Sequence, residues 1–241
     1  MLYVIGIGPG DQQMMTLEAI EAIKEAEIIV GYKTYTHLIK ALTFDKEVIK
    51  TGMCKEIERC QAALDLAAQG KIVALVSSGD AGIYGMAGLI LELVTKQELN
   101  VPVKVISGVT ASTAAATLLG APLMHDFCHI SLSDLLTPWD VIEKRIVSAA
   151  EADFVICFYN PRSRGRPDHL ARAFELMAPY KAATTPVGVV KDAGRKRQEK
   201  WLTTFAAMDF ERIDMTSLVI VGNKATYIHG DLMITPRGYV L

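Results

Sequence analysis

The chain has 241 residues, a formal net charge of −2, 51% hydrophobic residues and 22% charged ones. That length suits one large or two small domains, each with its own core. The near-neutral charge excludes a general electrostatic pull toward nucleic acid or an anionic membrane, so an anionic ligand has to meet a local basic cluster. The leading stretch MLYVIGIGPGD lacks a basic start and meets glycine and proline at once, which is unlike a signal peptide. No run reaches the ~18 apolar residues of a membrane span. A soluble, cytoplasmic protein is the expectation. Cys54, Cys60, Cys128 and Cys157 form no CxxC, and neither they nor the five histidines show metal-ligand spacing. Idle thiols and no bound metal are expected.

Residues 2–7 are an unbroken apolar run with β-branched members, the pattern of a strand buried on both faces of a parallel sheet. Gly8-Pro9-Gly10-Asp11 ends it, and residues 16–26 place Leu17, Ile20, Ala22 and Ile23 at helical spacing. Strands are predicted over 28–30 and 71–76, the second ending at Ser77-Ser78-Gly79-Asp80. A helix over 85–96, a strand over 103–106 and a helix begun by SGVTASTAAATLLG follow. Around 121–127 the segment APLMHDF mixes polarity about a proline, as a crossing between domains would. Beyond it lie predicted strands over 128–132, 153–159, 186–190 and 218–221, and helices over 139–150 and 170–177. This alternation predicts an α/β fold of two domains, 1–122 and 123–241, with mainly parallel sheets.

Ligands of open parallel sheets bind where strands end and loops lead into helices. Four motifs fall at such places. GIGPGD (6–11) fails the dinucleotide fingerprint, since Pro9 interrupts it and no third glycine follows at the required spacing. Proline also removes an N–H from any anion nest. It reads either as a tight turn with Asp11 near a helix start or as a rigid turn against a bulky ligand. SSGDAGIYGMAG (77–88) is rich in small residues; Asp80 could bond a ribose hydroxyl or an ammonium, and Tyr84 offers a flat face. In ISGVTASTAAATLLGAPLMHDF (106–127), Thr110, Ser112 and Thr113 bring hydroxyls to a helix start, and His125 and Asp126 are adjacent polar residues. FYNPRSRGRPDH (158–169) carries Arg162, Arg164 and Arg166, whose forks match carboxylate or phosphate oxygens; Lys191, Arg195, Lys196 and Arg197 form a second basic run.

In this order, GIGPGD, SSGDAGIYG, SGVTASTAAA and the closing LVIVGN resemble the tetrapyrrole methylase family over essentially the whole chain. GAPLMHDFCHISLSDLLTPWD and FYNPRSRGRP are similar to the members that methylate carbon 17 of a corrin precursor and contract its ring. The resemblance implies a two-domain α/β enzyme, usually a homodimer, that binds S-adenosylmethionine (SAM) in a cleft between its domains and releases S-adenosylhomocysteine. It implies cofactor contacts from Pro9, Gly79, Asp80, Ala81, Ile83, Tyr84, Thr110, Ala111, Tyr159, Asn160 and Gly222. Arg162, Arg164, Arg166, Lys191 and Arg195 are the expected holders of the carboxylates of a tetrapyrrole, with or without cobalt. Ring contraction moves protons, for which Asp80, His125 and Asp126 are the candidates. The lone catalytic unit, with no appended cluster-binding domain, tilts the expectation toward the cobalt-containing substrate. No nucleic-acid or membrane partner is expected. Three alternatives stay open: a related methylase acting at another carbon, a nucleotide-binding oxidoreductase, and a protein that binds SAM without catalysis.

Overall fold

The computed structural model describes residues 1–240. The chain divides into two compact units, Met1–Ala111 and Ser112–Leu241. The first runs β1 (Leu2–Gly6), α1 (Leu17–Glu25), β2 (Ile28–Tyr32), α2 (Lys33–Leu38), β3 (Glu47–Thr51), α3 (Glu56–Ala68), β4 (Val73–Ser77), α4 (Ala87–Lys96) and β5 (Val103–Ile106). Its five strands are all parallel, in the order β3-β2-β4-β1-β5. Leu2, Val4, Val30 and Leu75 pack on one face with Cys60, Leu64 and Ile90 of α3 and α4. Tyr3, Ile5, Ile29 and Val76 pack on the other with Ala19, Ala22 and Ile23 of α1. Burial on both faces is why residues 2–7 show no alternation. Each of these large side chains contributes roughly 1.5–3 kcal/mol by leaving water.

The sequence reading passes over α2, β3 and α3. Strand β3 is an edge strand, EVIKT, whose exposed Glu47 and Lys50 dilute the apolar signal. Helix α3 buries Cys60, Ala63, Leu64 and Ala67, a regular helical stripe, but built from small residues and shared with a buried Arg59.

The second unit begins with α5 (Ala111–Leu119), whose first residue closes the first unit, and continues through β6 (Gly120–Ala121), β7 (Phe127–Ser131), α6 (Trp139–Glu151), β8 (Val155–Tyr159), α7 (His169–Met177), β9 (Pro186–Lys191), β10 (Glu199–Thr204), β11 (Ser217–Val221), β12 (Tyr227–His229) and β13 (Leu232–Ile234). Its main sheet has the order β10-β9-β11-β8-β7. Here the expectation of mainly parallel sheets needs correcting: β7 and β8 are parallel, while β8–β11, β11–β9 and β9–β10 are antiparallel. The links explain it. A parallel neighbour needs a crossover of a dozen or more residues, usually helical. Seven residues join β9 to β10, and the segment leading to β11 holds only the single-turn helices Phe205–Ala207 and Phe210–Arg212. Ile156, Phe158, Val187, Val189, Val219 and Val221 face a core completed by Ile142, Ile146, Leu170 and Phe174 of α6 and α7.

The division falls ahead of residue 122 because α5 is tied to the second sheet. The Ser112 amide donates to Tyr159 Oη at 3.0 Å, and Lys200 Nζ donates to the Leu118 carbonyl at 2.8 Å. APLMHDF, which looks like a linker, starts with β6, and β6 pairs with β13 in a small three-stranded sheet with β12. No helix among the described residues is long and apolar enough to cross a membrane.

Candidate active site

At the carboxyl ends of β4, β1 and β5, which the sheet order sets side by side, three loops meet backbone to backbone. Gly8 and Gly79 exchange two hydrogen bonds, amide to carbonyl, at 3.0 and 2.8 Å. A Cβ on Gly6 would stand 2.7 Å from both the Gly108 nitrogen and the Gly79 oxygen. On Gly108 it would stand 2.2 Å from the Gly79 oxygen and 2.5 Å from the Gly6 oxygen. Gly79 itself has φ +71°, in the left-handed region. Gly6 and Gly108 are therefore required by the backbone packed against them, and Gly79 by its own left-handed angle. Pro9 is buried beside this junction, and Asp11 caps the single turn Gln12–Met14 by accepting from the Gln13 amide.

Asp80 organises the same place. Its Oδ1 accepts from the amides of Gly82 and Ile83 at 2.7 and 3.1 Å, and its Oδ2 accepts from the Gly108 amide at 2.9 Å. The carboxylate thus pins the loop after β4 to the loop after β5. Ala81 is fully buried, and Tyr84 is 52% exposed with φ +54°. A non-glycine residue held in that region is uncommon and marks a constrained loop. Thr110 is buried and Ala111 opens α5; both lie 3.8 Å, by backbone, from where a Gly79 Cβ would be.

In the second unit, Tyr159 ends β8 with its hydroxyl receiving the Ser112 amide, and Asn160 follows at φ +52°, its Nδ2 donating to Ser131 Oγ at 2.9 Å. The absence of a side chain at Gly222 is explained inside the unit, since a Cβ there would sit 2.7 Å from the Thr226 side chain. His129, passed over in the sequence, lies on β7 with its ring 5.1 Å from that of Tyr159 and 5.6 Å from that of Phe127. Burial lowers its pKa, which keeps the imidazole neutral at neutral pH.

The basic residues separate sharply. Arg162 grips Glu211 with NH2 (2.8 Å to each oxygen) and donates to the carbonyls of Phe210 and Pro167. Arg166 is buried, with Nε on Ser163 Oγ and NH2 near Met215 Sδ. Lys191 pairs with Asp214 at 2.6 Å, and Arg195 with Asp192 at 3.3 Å. Arg164 is exposed. Among the described residues, it is the member of the expected carboxylate-holding set with no protein acceptor for its guanidinium. His125 and Asp126 are exposed neighbours ahead of β7; the Asp126 amide donates to His125 Nδ1 at 2.9 Å. Burial pushes the Cys60 thiol up to about 12 and that of Cys128 up to about 11, which removes both as thiolate nucleophiles.

Three loops packed by backbone at the carboxyl edge of a parallel sheet form a rigid, small-residue surface. It suits a ligand recognised largely through main chain. Similarity to known proteins bears on which one. The sequence profile of the tetrapyrrole (corrin/porphyrin) methylases matches residues 1–209. A probable cobalt-factor III C(17)-methyltransferase of Salmonella typhimurium is 77% identical over 241 residues, covering all of both chains. A precorrin-3B C(17)-methyltransferase of a Sinorhizobium species is 41% identical over 246 residues, covering 99% of this chain and 96% of that one. The crystal structure of the methyltransferase CobJ superposes with a TM-score of 0.93 at 36% identity, over 98% of this chain and 99% of that one. The chain belongs to the tetrapyrrole (corrin/porphyrin) methylase family.

Proposed function

We propose that this protein is a SAM-dependent C-methyltransferase that methylates carbon 17 of cobalt-factor III, or of its metal-free counterpart precorrin-3B, with ring contraction, in cobalamin biosynthesis. The observation that carries the reading is the backbone-packed junction of Gly6, Gly79 and Gly108, in a chain similar from end to end to C(17)-methyltransferases. SAM supplies an electrophilic methyl group on a sulfonium. The protein's part is to align the acceptor carbon and exclude water, which asks for a rigid cradle more than for a strong base.

In this reading Pro9, Gly79, Asp80, Ala81, Ile83, Tyr84, Thr110 and Ala111 hold the cofactor from the first unit, and Tyr159, Asn160 and Gly222 contribute from the second. The backbone packing of the glycine loops supports main-chain recognition, and Pro9 adds shape without a donor. Asp80 acts as a positioning residue, because its oxygens already accept three amides. That leaves the exposed neighbours His125 and Asp126 for the proton movements of ring contraction. Arg164 reaches the carboxylates of the tetrapyrrole, while Arg162, Arg166, Lys191 and Arg195 hold the surrounding loops. The enzyme works as a cytoplasmic homodimer, a point supported by the family resemblance.

The test is anaerobic incubation with SAM and either cobalt-factor III or precorrin-3B, read by mass and absorbance. The expected product gains one methyl group and the spectrum of a contracted ring. SAM binding without turnover of either substrate sinks the reading in favour of a non-catalytic binder. Methylation without contraction points to another carbon.

A further inference from the structure

Strands β2 and β3 end at the same carboxyl edge of the first sheet as the glycine junction, on the side away from β5. Beyond them lies a cavity of about 750 Å³ lined by Tyr32, Lys33, His37, Lys40, Phe44 and Lys50, with threonines and Val48 between. No carboxylate lines it. Five other lysines of the first unit are engaged: Lys46 by the carbonyls of Lys24 and Ala26, Lys55 by Glu58, Lys71 by Glu27, Lys96 by Glu92 and Lys104 by Glu18. Among the described residues, Lys33, Lys40 and Lys50 have no such acceptor and are exposed; Lys24 on α1 is likewise exposed without one, but it stands alone, whereas these three line a single cavity. Three unopposed ammonium groups facing one cavity, in a chain of net charge −2, repel one another and attract a multivalent anion.

The fold builds this concentration of charge from distant positions. Lys50 stands on β3 beside Gly31 of β2, whereas Lys33 opens α2 and Lys40 lies beyond its end. Gly31 lets α2 approach, since a Cβ there would stand 2.6 Å from Val76 Cγ2 and 2.9 Å from Thr36 Cγ2. The chemistry of the lining narrows the ligand. A phosphate site commonly uses arginine forks, and no arginine lines this cavity. It presents ammonium groups on long stems around the flat faces of Tyr32 and of Phe44, the latter 84% exposed. Spread carboxylates on an apolar ring system match that pattern. By contrast, the cavity of about 450 Å³ beside the arginine loop offers one exposed cation, Arg164, next to Arg162, which Glu211 neutralises, and to the carboxylate of Asp214.

We infer that the Lys33–Lys40–Lys50 cavity is a carboxylate-binding subsite for the rim of the tetrapyrrole substrate. The inference rests on the methyltransferase reading for the identity of the ligand and on the cavity for its place. The test is a fluorescence titration of uroporphyrin III, a porphyrin with carboxylates around its whole rim, into the full-length protein, with SAM affinity measured alongside. In the Lys33→Ala/Lys40→Ala/Lys50→Ala variant, porphyrin affinity should fall at least about tenfold and lose much of its salt dependence, with SAM affinity unchanged. The triple arginine variant should restore it. Should the alanine variant fail to fold, the single charge reversal Lys40→Glu should still weaken the porphyrin several-fold. Unchanged porphyrin affinity in the folded variants overturns the subsite. This binding measurement reads out even if the unmodified protein turns over no corrin precursor, so failure of the subsite and failure of the methyltransferase reading are told apart.

Discussion

The two units position their strand-end loops by different physics. In the first, Gly6, Gly79 and Gly108 interlock main chain against main chain, and Asp80 clamps the result with three amide hydrogen bonds. In the second, the loops after β8 and β9 are held by side chains: Arg162 on Glu211, Lys191 on Asp214, Arg195 on Asp192. The glycine contact of the first arrangement is steric, indifferent to salt, and intolerant of an added Cβ at Gly6 or Gly108. The second is electrostatic, adjustable, and open to screening. A loop that must present its backbone to a ligand gains from the first kind of support, and a loop whose outermost cation must reach a variable partner gains from the second.

Three changes put this contrast at risk. Gly108→Ala should have the largest effect, because the new Cβ would lie 2.2 Å from a backbone oxygen that cannot step aside. A cost toward the top of about 1–3 kcal/mol is expected, a fall of roughly 6–12 °C in melting temperature, together with lost SAM binding. A variant that melts normally and binds SAM normally would show that the loops can separate without harm. Arg162→Ala comes next. It strands two carbonyls but leaves Glu211, 83% exposed, to water, so about 1 kcal/mol should be lost, with SAM affinity retained. A loss as large as that of Gly108→Ala would erase the distinction between the units.

The smallest effect concerns acid. Partial burial tends to raise the Asp214 pKa, but hydrogen bonds from Lys191 and Thr216 together outweigh it, and the carboxyl ends below its ordinary value. A depressed carboxylate contributes stability above its unfolded pKa of about 3.9, and that contribution is lost as the pH falls through the folded value. Melting temperature should therefore drop on acidification from about pH 5 to about pH 3, less steeply in Asp214→Asn. High salt should narrow the difference, whereas it should leave the Gly108→Ala defect untouched. Equal acid slopes in the two proteins would remove Asp214 from the account.

What could be read in the sequence divides along the same line. The glycine loops were legible because each sits directly after its own apolar strand, so a local pattern locates it. The partners that neutralise Arg162 were not, since Glu211 lies 49 positions away and only the folded chain brings it near. The same holds for the lysine cavity, where Lys33 and Lys50 are neighbours through the pairing of β2 with β3. Strand direction in the second sheet was hidden for another reason. LVIV in β11 is buried on both faces and reads alike whichever way its neighbours run; the short link from β9 to β10 was the available clue. Small residues and a buried arginine obscured α3.

The glycine junction also bears on how such a protein can change over generations. Gly6 and Gly108 are each closed to a side chain by backbone atoms of the other two, Gly79 is held to glycine by its left-handed φ of +71°, and no substitution at a partner can withdraw a backbone atom or change that angle. Compensating pairs of mutations, the usual route by which packed positions drift, have nothing to work with here. Around so fixed a point the rest of the site can diverge widely, with lysines and arginines gained or lost as the substrate requires. The junction is then expected to outlast every charged group near it, and to carry descent rather than specificity.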